Sequence, residues 1–138
     1  MEPFSLLAQA GLDLVRDGIQ RARRVRVRTH GAVFAGSTDV CVFVNIVNLG
    51  QRPVTVTHVW FATEPPVHVV NEARPLPRAL GPDEPWETWV PLTALTAQLG
   101  GLSEERLLRS ARVRLSTGRV LKARPNREVP PLGAVPGG

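Results

Sequence analysis

The run from Asp39 to Asn48 limits the possible folds of this chain more than any other feature. In an extended strand, alternate side chains point to opposite faces. Here both sets are apolar: Val40, Val42, Val44 and Ile46 on one side, and Cys41, Phe43 and Val47 on the other. A strand with two apolar faces has to be covered on both, so the run predicts a central strand within a layered fold.

Further segments with a period of two surround this run. The alternation of Arg and Val over Arg24–Arg28 predicts a half-buried strand. Other strands are predicted at Pro53–Ala62, Val67–Val70 and Trp86–Val90, and as a hairpin of Ala111–Leu115 with Arg119–Arg124 around Thr117-Gly118. Turn signals separate about seven short strands, and no strand–helix alternation is present. The sequence therefore predicts an all-β antiparallel sandwich and argues against a parallel-sheet enzyme fold.

Short connecting elements are predicted between these strands. Four prolines in Arg74–Pro85 favour an extended connection or an edge strand. Leu92–Leu99 is compatible with a helical turn that ends at Gly100-Gly101. Ser103 is placed to cap a second short helix that begins with two glutamates.

The first segment has a different character. Residues 1–24 predict an amphipathic helix, with apolar side chains over an arc of roughly 200°, wider than packing on one core needs. Five residues form a candidate helix interface: Leu7, Leu12, Leu14, Val15 and Ile19. Residues 25–124 are assigned to the sandwich, and residues 125–138 to a tail rich in Pro and Gly. The length favours one folded domain.

Three motifs of the predicted sandwich resemble bacterial immunoglobulin-like domains. Asn48, Gly50 and Pro53 form an N-x-G-x-x-P-V turn between two strands. The segment Leu76–Glu84 reads LP-x-x-L-x-P-x-E, and a final hairpin has Gly118 at its tip. The resemblance covers about residues 25–124 and implies the fold but no activity. The two core cysteines of antibody domains are absent from the sequence, and Trp60 is predicted to take the central core position.

The sequence contains no recognisable chemical centre. Cys41, the only cysteine, is predicted to be buried. The three histidines are far apart in sequence, and Glu84 and Glu87 flank a strand start where solvated acids are usual. We therefore predict no catalytic residues, cofactor, metal or small-molecule substrate. With no signal peptide or membrane-spanning run visible, we expect a cytoplasmic protein.

Basic residues cluster at both ends of the predicted sandwich. The candidate basic patch comprises Arg24, Arg26, Arg28, Arg112, Arg114, Arg119, Lys122 and Arg124. In immunoglobulin-like sandwiches the first and last strands commonly lie side by side, so these charges are expected to merge into one edge. Such an edge could bind a polyanion, or it could be a solvated edge that prevents strand-to-strand aggregation.

Two functions follow from these features. The first is a non-enzymatic protein-interaction or self-association module, with a protein partner or a second copy meeting the N-terminal helix. The alternative is electrostatic binding of nucleic acid or an anionic membrane through the Arg-rich edge. No set of aromatic residues accompanies the arginines in sequence, which argues against single-stranded nucleic acid.

Overall fold

The structure is a computed structural model that describes residues 24–96 and 103–129. The helix predicted over residues 1–24 lies outside this part apart from Arg24, as do the candidate helix interface and residues 130–138 of the tail. The described elements, in chain order, are β1 (Val25–Val33), β2 (Val40–Asn48), β3 (Val54–Phe61), β4 (Val67–His68), β5 (Arg78–Leu80), β6 (Pro85–Pro91), α1 (Leu92–Thr96), α2 (Glu104–Arg109), β7 (Ala111–Leu115), β8 (Val120–Lys122) and β9 (Arg124–Pro125).

The strands form two sheets. Sheet A has the order β6-β2-β1-β9, and sheet B has the order β4-β3-β7-β8, with β5 paired to the first half of β3. The described pairs are antiparallel except β1 with β9, which is parallel. The predicted all-β sandwich is confirmed at this level.

The core lies between the two sheets. Sheet A contributes Val27, Val42, Val44, Ile46 and Val90, and sheet B contributes Val56, Val59, Phe61, Leu80, Val113 and Leu115. Leu95 of α1 and Leu107 and Leu108 of α2 are buried in the same cluster. Each fully buried side chain of this size contributes about 1.5–3 kcal/mol, so core burial dominates the stability of the sandwich.

Strand β2 is covered on both faces, as its sequence predicts. Its second apolar face lies outside the core, where Phe43 is only 6% exposed. The ring of Phe43 stacks on His30 of β1 with a centroid distance of 5.2 Å. Phe34 and Trp89 cover it at 5.3 and 5.6 Å. The cover therefore comes from the neighbouring strands and from the turn after β1.

Strand β3 contains an irregularity that reverses its alternation. The register against β7 shifts between Val56 and His58, as in a β-bulge. Val59 and Phe61 then face the core, with exposures of 1% and 0%. The prediction that Trp60 takes the central core position is wrong, because the extra residue turns Trp60 to the outer face and gives the core position to Phe61.

The C-terminal part contains the predicted capped helix and the predicted hairpin. The Ser103 hydroxyl accepts a hydrogen bond from the backbone N–H of Arg106 at 3.3 Å and caps α2. Strands β7 and β8 form the predicted hairpin, and Gly118 at its tip has a φ of 90°, which favours glycine. After β8 the buried Ala123 carries the chain from sheet B to sheet A.

Within residues 24–96 and 103–129, neither helix has the length and apolar character needed to cross a bilayer.

Candidate functional site

The structure divides the predicted basic patch between two faces. Arg26 and Arg28 alternate with core residues of β1 and point outward from sheet A, and Arg124 of β9 pairs with Arg28. Arg24 is exposed just before β1. The remaining members lie on the β7–β8 hairpin of sheet B: Arg112, Arg114, Arg119 and Lys122.

The expectation that these residues merge into one edge is therefore wrong. The predicted last strand is two strands in the structure, and only the short β9 lies beside β1. The longer part of the predicted strand, β8, pairs with β7 in sheet B. The break falls at Ala123, whose side chain is buried between the two parts.

The outer face of sheet B brings cations and an aromatic ring together. One cross-strand row runs His68, Trp60, Arg112, Lys122, with each residue the register partner of the next. At about 4.8 Å between strands, this row spans about 14 Å. The row beside it pairs His58 with Arg114. We call this surface the basic face; it comprises His58, Trp60, His68, Arg112, Arg114 and Lys122.

Among the described residues, no carboxylate stands at the outward positions of the strands that form the basic face. Arg114 and Lys122 are exposed and form no ion pair with any described residue. Glu72 borders the face on the β4 side, where it lines a cavity of about 460 Å³ with His58 and His68. In the described part of the chain, the charged side chains on the β7 and β8 strands of the basic face are all cations.

Arg112 is held in place by the backbone. Its Nη1 donates to the carbonyl oxygens of Arg109 at 2.7 Å and Ala111 at 3.0 Å. The first of these carbonyls is at the C-terminal end of α2, where a cation is stabilised by the helix dipole. The guanidinium of Arg112, the register partner of Trp60, is therefore anchored to the backbone at the end of α2, which fixes one charge of the basic face in position.

The outer face of sheet A has mixed charge. A cavity of about 770 Å³ is lined by Arg26, Arg28 and Asn45, and also by Glu87 and Glu128. Glu87, Asn45 and Arg28 are consecutive register partners across three strands. Negative charge is thus built into this surface, in contrast to the basic face.

A loop residue further occupies the sheet A surface. The Nε of Arg74 donates to the carbonyl oxygen of Glu87 at 3.1 Å, and its guanidinium carbon lies 5.1 Å from the Trp89 ring centroid. This cation–π contact is an internal interaction that stabilises the loop on β6. Trp86, by contrast, packs against the core, so the two tryptophans of β6 face opposite ways.

The motif residues around Asn48 and Glu84 have structural roles. Glu84 accepts hydrogen bonds from the backbone N–H of Gly81 and from Arg78, both at 2.9 Å. These two contacts lower the pKa of Glu84, chiefly through the Gly81 N–H. The carboxylate of Glu84 therefore holds the turn before β6 together.

The titratable residues considered for chemistry are dispersed. Among the described residues, no group of three or more His, Cys, Asp or Glu side chains is arranged to hold a metal ion. Burial raises the pKa of the Cys41 thiol, with a further contribution from Asp39. Burial lowers the pKa of His30 and outweighs the opposing effect of Glu87.

No protein-family model, curated protein or solved structure matches this chain.

Sequence reasoning missed the contribution of Trp60 to the basic face. In sequence, Trp60 lies 52 positions before Arg112, and simple alternation from Val54 and Val56 assigns it to the core. The bulge that turns it outward has no Gly or Pro to mark it. The pairing of Trp60 with Arg112 could be read only from the strand register.

Proposed function

We propose that this chain is a non-enzymatic binding module built on an immunoglobulin-like sandwich, and that its basic face binds nucleic acid by electrostatic attraction. One observation carries the proposal. Arg112, Arg114 and Lys122 share one sheet face, with no Asp or Glu at its outward positions in the described ranges.

The strand order supports the immunoglobulin-like part of this proposal. In that architecture strands A, B and E share one sheet, and strands C, F and G share the other. Here β1, β2 and β6 share sheet A, and β3, β7 and β8 share sheet B. We assign the immunoglobulin-like fold because successive strands are divided between the two sheets in the same way.

The spacing of the cations favours a polyanion as ligand. Arg112 and Lys122 are direct cross-strand partners, an arrangement that is unfavourable for like charges. Arg114 lies two residues along the same strand, about 7 Å away. All three charges fall within about one Debye length at physiological salt, so their potentials add. Binding of a phosphate backbone would relieve the repulsion between these cations and would release the counterions condensed on the nucleic acid.

The test is a binding titration with a matched pair of charge variants. Arg114→Gln/Lys122→Gln removes two exposed cations from the basic face, and Arg24→Gln/Arg26→Gln removes two exposed cations near sheet A. Fluorescence anisotropy with a labelled oligonucleotide is measured from about 50 to 200 mM salt. We expect the first variant to bind at least about tenfold more weakly. Its slope of log K against log salt should be shallower by about 1.4–1.8.

The control variant should keep most of the affinity and the slope of the native protein. Equal losses in both variants would indicate that net charge acts without a defined face, and would overturn the proposal. Absence of binding at about 50 mM salt would do the same. Binding to vesicles of anionic phospholipid but not to oligonucleotide would replace nucleic acid by the membrane alternative.

Association through the N-terminal helix remains a separate prediction. Its candidate interface residues lie outside the described ranges, so no contact in the structure bears on it.

A further inference from the structure

We infer that the ligand of the basic face is single-stranded nucleic acid, and that Trp60 is the platform on which one of its bases stacks. This inference rests on the proposed function. It is carried by the juxtaposition of an outward, half-buried Trp with an anchored Arg in one row of sheet B.

Trp60 does not fill the core, so core packing does not explain the position of its side chain. The two β3 residues on either side of it, Val59 and Phe61, are the ones that fill the core. The bulge at Thr57 and His58 turns the Trp60 indole outward. Bulges commonly redirect a side chain towards a functional surface.

The surroundings of Trp60 suit a base with its phosphate. On the β7 side the register partner is Arg112, whose guanidinium is fixed by two carbonyl oxygens. On the β4 side the His68 ring lies 6.3 Å away by centroid and is tilted by 31°. A base can therefore meet an aromatic surface while its phosphates meet Arg112 and Lys122. Proteins that bind single strands combine a cationic path with stacking residues in this way.

Duplex nucleic acid cannot use the indole in this manner. Its bases are stacked on one another inside the helix, whereas a single strand exposes both faces of each base. A flat sheet face also lacks a helix or ribbon to enter a groove. The geometry therefore favours a single strand over a duplex of the same sequence.

A purely structural role for Trp60 is the competing explanation. Trp60 pairs with His68 and could serve only to hold β4 on sheet B. Such a role would change stability but would not depend on the bases of a ligand. The experiment therefore compares ligands with and without bases.

Three variants in the full chain separate the possibilities. Trp60→Leu keeps apolar bulk and removes the aromatic surface, and Trp60→Phe keeps a smaller one. Trp89→Phe is the matched control on sheet A, where Trp89 contacts Arg74. The probes are a mixed-sequence strand of about 15 nucleotides, the same strand annealed to its complement, and an abasic strand of equal length.

We expect the native protein to bind the single strand more tightly than the duplex, with quenching of tryptophan fluorescence. Trp60→Leu should lose about 5- to 150-fold in affinity for the single strand. Its salt slope should not change, because no charge is removed. Trp60→Phe should recover part of the loss, and Trp89→Phe should bind normally. The abasic strand should bind native protein and Trp60→Leu equally.

The outcomes distinguish this inference from the proposed function. Equal affinity for duplex and single strand, or equal losses of Trp60→Leu with the abasic and the normal strand, would overturn the stacking role. The proposed function would stand in either case if Arg114→Gln/Lys122→Gln still weakened binding. Failure of the native protein to bind any of the three probes would overturn both.

Discussion

Asn48 is completely buried, yet its whole side chain is satisfied by hydrogen bonds. Its Nδ2 donates to the carbonyl oxygens of Arg52 at 2.7 Å and Leu80 at 3.0 Å, and its Oδ1 accepts from the N–H of Gly50 at 3.0 Å. One side chain thereby joins the β2–β3 turn to the end of β5. Buried polar groups of this kind stabilise when fully paired and are costly when a partner is removed.

Asn48→Ala should therefore be strongly destabilising. We expect a loss of about 2–4 kcal/mol in the free energy of unfolding, because three backbone groups lose their partner, two of them in buried hydrogen bonds. Urea denaturation measures the loss. Asn71→Ala is the control, since the Oδ1 of Asn71 accepts one exposed bond, from the N–H of Ala73, and its buried Nδ2 has no partner among the described residues. A similar loss in both variants would contradict the role assigned to Asn48.

We expect His30 to make the free energy of unfolding depend on pH. Its Nδ1 lies 2.8 Å from the amide nitrogen of Asn45, and accepting a hydrogen bond from that amide requires the neutral imidazole. Burial lowers the pKa of His30 in the folded protein. As the pH falls, His30 therefore takes up a proton in the unfolded chain before it does so in the folded protein. The contribution of neutral His30 to the free energy of unfolding is complete above the ordinary His pKa. It is lost as the pH falls towards the lower pKa that His30 has in the folded protein.

The free energy of unfolding should decrease as the pH is lowered from about 7 to about 5. In His30→Asn, whose Oδ1 can replace Nδ1 as acceptor, this decrease should be smaller. Urea denaturation at a series of pH values compares the two proteins. Identical pH dependence in both would show that His30 is not the group responsible.

At the scale of elements, β3 departs most from what its sequence indicates. Perfect alternation from Val54 assigns Val56, His58 and Trp60 to the same face. The register shift against β7 places Val56, Val59 and Phe61 inward. The bulge is decided by packing: Phe61 fills the core, while an inward His58 would bury a polar ring there.

This assignment predicts unequal effects for adjacent aromatic residues. Phe61→Ala should cost about 3–5 kcal/mol of unfolding free energy, since it removes a fully buried ring from the core. Trp60→Ala should cost much less, because its side chain lies on the outer face. Thermal and urea unfolding of the two variants provide the comparison. A larger loss for Trp60→Ala would place Trp60 in the core after all.

Strand patterns and turn residues made most elements predictable. The alternating Arg and Val of β1, the apolar β2, the capped α2 and the β7–β8 hairpin all have local signals, and all are present. The bulge in β3 and the division of the predicted last strand at Ala123 have no local signal in the sequence. Both are decided by contacts between residues distant in sequence.

For the whole molecule, the net charge of +5 says little without its distribution. The sequence indicates that cations gather at the two ends of the sandwich, and it cannot say which share a face. Sheet pairing puts Arg26 and Arg28 among Glu87 and Glu128, and it leaves Arg114 and Lys122 without carboxylate neighbours on the basic face. The candidate site thus depends on topology, which a single sequence does not encode in any local pattern.

The parallel pairing of β1 with β9 has a mechanical consequence. Arg28 and Thr29 pair with Arg124 and Pro125, and the N–H of Asn126 donates to the carbonyl oxygen of Thr29 at 2.8 Å. Because the two strands run in the same direction, opposite pulls on residue 24 and residue 129 would slide one strand along the other. Their hydrogen bonds would then bear the load together, in shear, rather than open one after another. When such a chain is held at both ends and pulled, its resistance to extension is set by how slowly it unfolds under force.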